Sequence, residues 1–266
     1  MSISSISNRN SYNLYSNNLY SKNSKNLYAK LSSAKRINKA ADDAAGLAIA
    51  QKLQKHETGL TVGGQNAREG VGALNVADGA MGGITDYLQR MRELALRSEN
   101  GLYSNSDKQS IQTEIDGLKE GIQSLAKTTS LNEQKLMDGS MADMHLATNP
   151  NGSGLEIHMQ NTTLEALGIA DFDVTGKYDL ESIDRALERV SSARGSLGAA
   201  TNRLDHTYNY NSLASEQTLR SRSKIEDLDM PKAISEKKKE DVLAEYRNMM
   251  LRRQMNQRAM MTGLFQ

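Results

Sequence analysis

Few residues of this chain are of the kinds that do chemistry, and their spacing assigns them little of it. His145 and His158 could ligate a metal, but no carboxylate pair accompanies them at metal-binding spacing, so two surface histidines of one hairpin are expected. Asp42-Asp43 offers adjacent carboxylates for metal binding or acid–base work. The pair stands just before a long apolar-periodic run, where capping the first turn of a helix is the better use. Asn161-Thr162-Thr163 fits a glycosylation sequon. Met249, Met250, Met255, Met260 and Met261 make the chain's end either an adaptable binding surface or part of an assembled core. There is no Cys, which removes thiol chemistry, disulfides and Cys-held metals. The expectation is a protein that is not an enzyme: catalytic residues none, metal none, cofactors none.

The elements that carry these residues read as long helices. The chain has 266 residues with 5% aromatics, no Trp, 20 Gly and only two Pro. Such a composition suits thin helices in contact better than a thick globular interior. No apolar run reaches the ~20 residues of a membrane span, and the N-terminus lacks the apolar stretch of a signal peptide. The net charge of +1 hides a segregation. Seven bases and no acid fall in residues 1–40, and four Arg with no acid in 246–266, flanking an acidic middle. The N-terminal arm is rich in Ser, Asn and Tyr rather than clustered Lys/Arg, so no nucleic-acid partner is expected.

From Gly46 a spacing of three and four residues persists through Ile49, Leu53, His56, Leu60, Gly63, Ala67, Gly70, Leu74, Ala77, Met81, Ile84, Leu88, Met91 and Ala95. This is the pattern of a long helix packed against others. A helix from about Asp43 to Glu99 would run roughly 85 Å at 1.5 Å per residue. Its many glycines each cost up to about 1 kcal/mol relative to Ala, so it should be stable only with neighbours; Gly63-Gly64 or Gly82-Gly83 would otherwise mark a break. Asn100-Gly101 ends it, and Ser106 or Asp107 caps a second helix bearing Ile111, Ile115, Leu118, Ile122 and Leu125. A short turn makes the two antiparallel.

Residues 136–177 change character. Leu155, Ile157 and Met159 alternate with polar residues, Met144 and Leu146 suggest a partner strand, and Asn149-Pro150-Asn151-Gly152 supplies the turn of a small β-hairpin. Asp179 then starts a third long helix, with Leu180, Ile183, Leu187, Val190, Leu197, Leu204 and Tyr208 on one stripe, ending near Leu228. Met230-Pro231 interrupts the pattern before a last helix. The first 40 residues scatter Leu14, Leu19, Leu27, Leu31 and Ile37 among Asn and Ser. Alone they bury too little apolar surface to offset their ordering entropy. They should become helical only against a partner.

Several blocks resemble one family. Leu31 to Ile49, LSSAKRINKAADDAAGLAI, is similar to the N-terminal block of bacterial flagellins, the likeness carried by Arg36, Ile37, Asn38, Asp42, Asp43, Ala44, Ala45 and Gly46. Gln89 to Ala95 followed by Asn100-Gly101 resembles a second block, Ile111, Gln112, Glu114 and Ile115 a third, and Leu197-Gly198 with Asn202, Arg203 and Leu204 the C-terminal half. Ala34 stands where the family usually has Gly. Lys237-Lys238-Lys239 and the Met-rich end depart from the family's Ala-, Gln- and Leu-rich tail.

The resemblance implies a mainly α fold of long coiled-coil-like antiparallel helices with a small β-hairpin. N- and C-terminal helices pair as an inner domain (residues 1–42 and 229–266) beside a rod domain (43–228), and only the short 136–177 stretch separates the helical halves. It implies a structural subunit polymerising into the flagellar filament for motility, extracellular, with terminal segments disordered in the monomer and helical in the filament. A hook–filament junction protein or a non-flagellar coiled-coil scaffold is the alternative. Implied partners are further copies of the chain, the flagellar type III export apparatus and an export chaperone, with secretion that cleaves no signal peptide. The filament cap and hook-junction proteins, and a Toll-like receptor of an animal host, complete the set. Receptor contact would fall on Arg90, Leu94 and Glu114, Leu94 flanking the apolar seam. The seam that holds the assembly comprises Leu74, Met81, Ile84, Leu88, Met91, Ile111, Ile115, Leu118, Ile122, Leu187, Val190, Leu197 and Leu204.

Overall fold

A computed structural model describes residues 25–176 and 178–263. The first 24 residues of the expected arm therefore lie outside the described residues. Helical residues 25–33 (α1) are followed by α2 (Ala44–Ser98), α3 (Asn105–Thr128), β1 (Ser130–Leu131), β2 (Gln134–Lys135), β3 (Asp143–Leu146), β4 (Leu155–His158), α4 (Leu164–Leu167), α5 (Leu180–Glu226) and α6 (Met230–Gly263). The chain divides into two compact units, residues 55–217 and residues 1–54 with 218–266.

In the unit of residues 55–217, α2, α3 and α5 share one apolar core. Leu74, Met81, Ile84, Leu88 and Met91 of α2 meet Ile115 and Ile122 of α3 and Ile183, Val190, Leu197 and Leu204 of α5, all buried. The α2–α3 pair is antiparallel: Arg90 bonds Glu114, Tyr87 lies over Gly121, and Leu125 reaches Gly83. The α2–α5 pair is antiparallel as well, with Arg92 on Asp184, Asp78 under Arg194 and Thr61 beside Ser215. Burial of the stripe drives this packing, since the helices are glycine-rich and poor in isolation.

Two hairpins close the unit. β3 and β4 pair antiparallel with Met144 opposite Ile157 and Leu146 opposite Leu155. Met159 falls just past β4, its N–H donating to Ala142 O at 2.8 Å. The other hairpin, β1 with β2, turns through Asn132 (φ 49°) and Glu133 (φ 67°), a two-residue turn with both central residues left-handed. Sequence reading missed it because Asn-Glu replaces the usual Asn-Gly signal. Leu164–Leu167 forms one helical turn capped by Thr163, with Gly168 left-handed at its end (φ 77°).

The β3–β4 hairpin explains the glycines of α2. A Cβ built at Gly63 would stand 2.2 Å from the Thr148 carbonyl oxygen, one at Gly59 2.7 Å from Pro150 Cβ, and one at Gly70 2.3 Å from Leu146 Cδ1. The turn lies directly on bare helix backbone. Asn66 donates to Ala147 O and Asn211 to Thr148 O, each at 2.7 Å, so the turn's buried carbonyls are satisfied from α2 and α5.

The continuous helix expected over about 43–99 is found as α2, with no break at Gly63-Gly64 or Gly82-Gly83, and Thr148, Tyr208 and Leu125 pack on Gly63, Gly64 and Gly83. Two expectations are corrected. The cap of α3 is neither Ser106 nor Asp107 but Ser104, whose Oγ accepts from Asp107 N at 3.3 Å while the Asp107 carboxylate accepts from Ser104 N at 2.9 Å. Ile49 and His56 leave the expected seam for solvent, and Ala50 is buried in their place, since an α-helix of period 3.6 drifts off a strict heptad.

Two substitutions separate packed glycines from idle ones. Gly63→Ala should lower the stability of this unit by about 2 kcal/mol, because backbone must move. Gly72 faces open space within α2, and Gly72→Ala should raise stability by up to about 1 kcal/mol. Chemical denaturation of the two variants checks both signs.

Candidate functional site

One surface of the 55–217 unit carries the residues singled out for recognition. Arg90 Nε and Nη2 both donate to Glu114 Oε1, at 2.9 and 2.7 Å, and Nη1 donates to Glu93 Oε2 at 3.1 Å. Hydrogen bonding to Glu114, then to Glu93, raises the Arg90 guanidinium above its ordinary range. Side chains of Arg90 and Glu114 stay 40% and 47% exposed, so the cluster is a pre-oriented ion pair open to solvent. Leu94 lies elsewhere: it is 2% exposed, inside the core. It supports the helix that presents Arg90 and offers no surface of its own.

All thirteen seam residues engage partners within the chain. Leu74, Met81, Ile84, Leu88, Met91, Ile115, Ile122, Val190, Leu197 and Leu204 are buried in the shared core, and Ile111, Leu118 and Leu187 pack at its margin. Two cross-helix ion pairs flank them, Arg92–Asp184 at 2.6 Å and Arg194–Asp78 at 2.8 Å, each raising its guanidinium by hydrogen bonding to the carboxylate.

The unit of residues 1–54 and 218–266 is built around a clasp. Lys35 and Asp227 form an antiparallel bridge, with Arg36 N donating to Glu226 O at 2.7 Å and Leu228 N to Ala34 O at 2.9 Å. The Arg36 guanidinium donates to Ile225 O, and Lys35 pairs with the Glu226 carboxylate. Ile37 is buried beside Gly46, where a Cβ would stand 2.8 Å from Ile37 Cδ1. Asp42 Oδ2 accepts from the Asn38 and Lys39 amides at 3.1 and 3.0 Å, and these two backbone bonds hold its carboxyl below the usual range. Asp43 caps α2, accepting from Gly46 N at 2.8 Å. Both carboxylates are therefore spent on backbone, and the motif is a structural turn that ties α1 to the end of α5.

In the same unit α6 is helical but thinly covered. Val242, Leu243, Tyr246, Met249, Met255 and Met260 are all exposed. Of the three consecutive lysines, Lys237 is engaged: it pairs with Asp241 at 2.7 Å and sits 4.7 Å over the Tyr28 ring, and the Asp241 bond raises it.

The remaining candidates have local partners. His158 Nδ1 lies 2.9 Å from Asp143 Oδ1 on the hairpin, and His145 stands opposite Glu156. Asn161 Oδ1 accepts from Thr163 N, and Thr162 is buried. Among the described residues no three His, Cys, Asp or Glu are grouped to hold a metal, and no helix is long and apolar enough to cross a membrane. A cleft of about 450 Å³ is lined by Glu165, Asp171, Asp173 and Asp179, with Tyr178 and Ser182. Two of its carboxylates serve turns: Asp173 accepts from the Thr175 amide and hydroxyl, and Asp179 from Glu181 N.

Ala34 carries strain in the clasp. Its φ of 55° is left-handed, a conformation costly for a residue with a Cβ. Ala34→Gly should stabilise this unit by about 0.5–1 kcal/mol net of glycine's extra unfolded-state entropy. Slower hydrogen exchange of the Leu228 and Arg36 amides would register it.

The comparisons with known proteins agree on one family. The family described as bacterial flagellin N-terminal helical region matches residues 4–142, and the bacterial flagellin C-terminal helical region matches residues 180–264. The chain is 36% identical over 229 residues to a flagellin of Halalkalibacterium halodurans, covering 84% of each chain. It is 34% identical over 262 residues to a flagellin of Bacillus subtilis, covering 84% of this chain and 86% of that one. Among solved structures, a crystal structure of Bacillus cereus flagellin is similar in fold with a TM-score of 0.50 at 24% identity, over 55% of this chain and 88% of that chain.

Proposed function

The chain belongs to the bacterial flagellin family, and from that premise we propose how its parts divide the work of a self-polymerising structural subunit of the extracellular flagellar filament. Residues 1–42 and 229–266 act as the inner segments, and residues 43–228 as the rod between them. The chain is no enzyme. It leaves the cell through the flagellar export apparatus, held by an export chaperone, without cleavage of a signal peptide. In the flagellum it meets the hook-junction proteins at one end and the filament cap at the other.

One observation carries this division. The thirteen seam residues find their partners inside the chain, whereas α6 leaves Val242, Tyr246 and Met249 bare. A helix of this kind gains most from neighbours that other copies supply. The terminal segments are therefore where order and stability increase on assembly. Electron microscopy of the purified chain under polymerising conditions should show filaments, with both termini gaining protease protection. Discrete dimers or trimers with mobile termini would overturn the reading.

The exposed Arg90–Glu114 pair supports a second role, contact with a Toll-like receptor of an animal host. Arg90 and Glu114 supply the polar contact, and Leu94, buried beneath, fixes the helix that presents Arg90. Arg90→Ala should weaken receptor binding, measured with the receptor ectodomain by surface plasmon resonance, while circular dichroism stays unchanged. Equal binding by the variant would remove the site.

A further inference from the structure

The 13 methionines of the chain fall into contrasting environments. Met81, Met91 and Met137 are wholly buried in the helical core and Met159 is 3% exposed. On α6, Met249, Met255 and Met260 are 54%, 68% and 71% exposed. Spacings of seven and eleven residues set Val242, Met249 and Met260 along one face of α6, continuous with Tyr246. Arg253 and Asn256 interrupt that face, and Met255 lies about 120° round the helix from Met249, so the exposed methionines are spread along and around α6. The chain has no Cys, so no thiol competes for an oxidant.

We propose that Met249, Met255 and Met260 form a peroxide-reactive modification site whose oxidation withdraws the subunit from polymerisation. The inference rests on the filament reading given above. Each step consumes one hydrogen peroxide: the thioether sulfur attacks one peroxide oxygen, an S–O bond forms as the O–O bond breaks, and water leaves. The sulfur is oxidised to a sulfoxide, and the peroxide is reduced to water. The product is polar and chiral where the side chain was apolar and adaptable. A helix that takes its cover from neighbouring chains then carries S=O groups whose desolvation opposes that cover. Sulfoxide reductases reverse the change, so the site is a reversible one. Met81 and Met91 are shielded, and the 55–217 unit is left intact.

The test uses the full-length chain, exposed to hydrogen peroxide before polymerisation is induced. Peptide mass spectrometry follows added oxygen at each methionine, and sedimentation with electron microscopy follows filament yield. Met249, Met255 and Met260 should gain oxygen about ten-fold faster than Met81 and Met91, and filament yield should fall by about ten-fold. Methionine sulfoxide reductase should restore the yield, and peroxide should leave the yield of M249L/M255L/M260L at whatever level that variant reaches untreated. Equal oxidation of buried and exposed methionines would overturn the proposal. So would undiminished polymerisation of sulfoxide-bearing chain, or equal loss in the leucine variant. If the leucine variant fails to polymerise untreated, reversal of the wild-type chain by the reductase decides. A wild-type chain that forms no filaments even untreated overturns the filament reading instead.

Discussion

A peptide turn seated on bare helix backbone is the contact on which the 55–217 unit depends. Residues 147–150 press so closely on α2 that Gly59 and Gly63 leave no room for a methyl group. The backbone carbonyls of Ala147 and Thr148 would be unsatisfied there without the amides of Asn66 and Asn211. The turn in turn lays Leu146 over Gly70 and brings the hairpin's Ile157 into the same core as α2 and α5. The glycines that weaken α2 as an isolated helix are thus the ones that let it be covered. A locally poor choice and a globally necessary one coincide.

The clasp of the other unit works on a similar economy of side chains. Arg36, Asn38 and Asp42 are polar, yet each is committed to backbone: Arg36 to Ile225 O, Asn38 to Ala29 O, and Asp42 to the Asn38 and Lys39 amides. Polar residues that satisfy main chain in this way make an irregular segment as definite as a strand or helix. Only Ala34 resists, held left-handed by the bridge that follows it.

Much of this was legible in the residues. The apolar stripes from Leu60 to Ala95 and from Ile183 to Leu204 announced long helices because burial imposes their period directly on sequence. The β3–β4 hairpin was visible through alternation and its Asn-Pro-Asn-Gly turn. What could not be read was tertiary. Nothing in the sequence says that Gly63 meets Thr148, so its glycine pair left a break open as the alternative to a continuous helix. Leu94 and Leu88 have the same side chain, and only the position of α3 and α5 decides that both are inside. Ser104 lost the cap to its neighbours on paper because the capping box needs the Asp three residues on to turn back. The ion pair of Arg90 with Glu114 depended on helix register, which residue types do not encode.

The close seat of residues 147–150 also has a bearing on inheritance. Any lineage that enlarges Gly63 must at once withdraw the Thr148 carbonyl, and any that reshapes the turn must keep Asn66 and Asn211 aimed at it. Three segments far apart in the gene are thereby bound to change together or not at all. A hairpin exchanged alone between two relatives would arrive without the helix notch that fits it. Beyond the turn, the region between the helical halves gives Ile157, Ile169 and Val174 to the core, so it too travels with the helices it packs against.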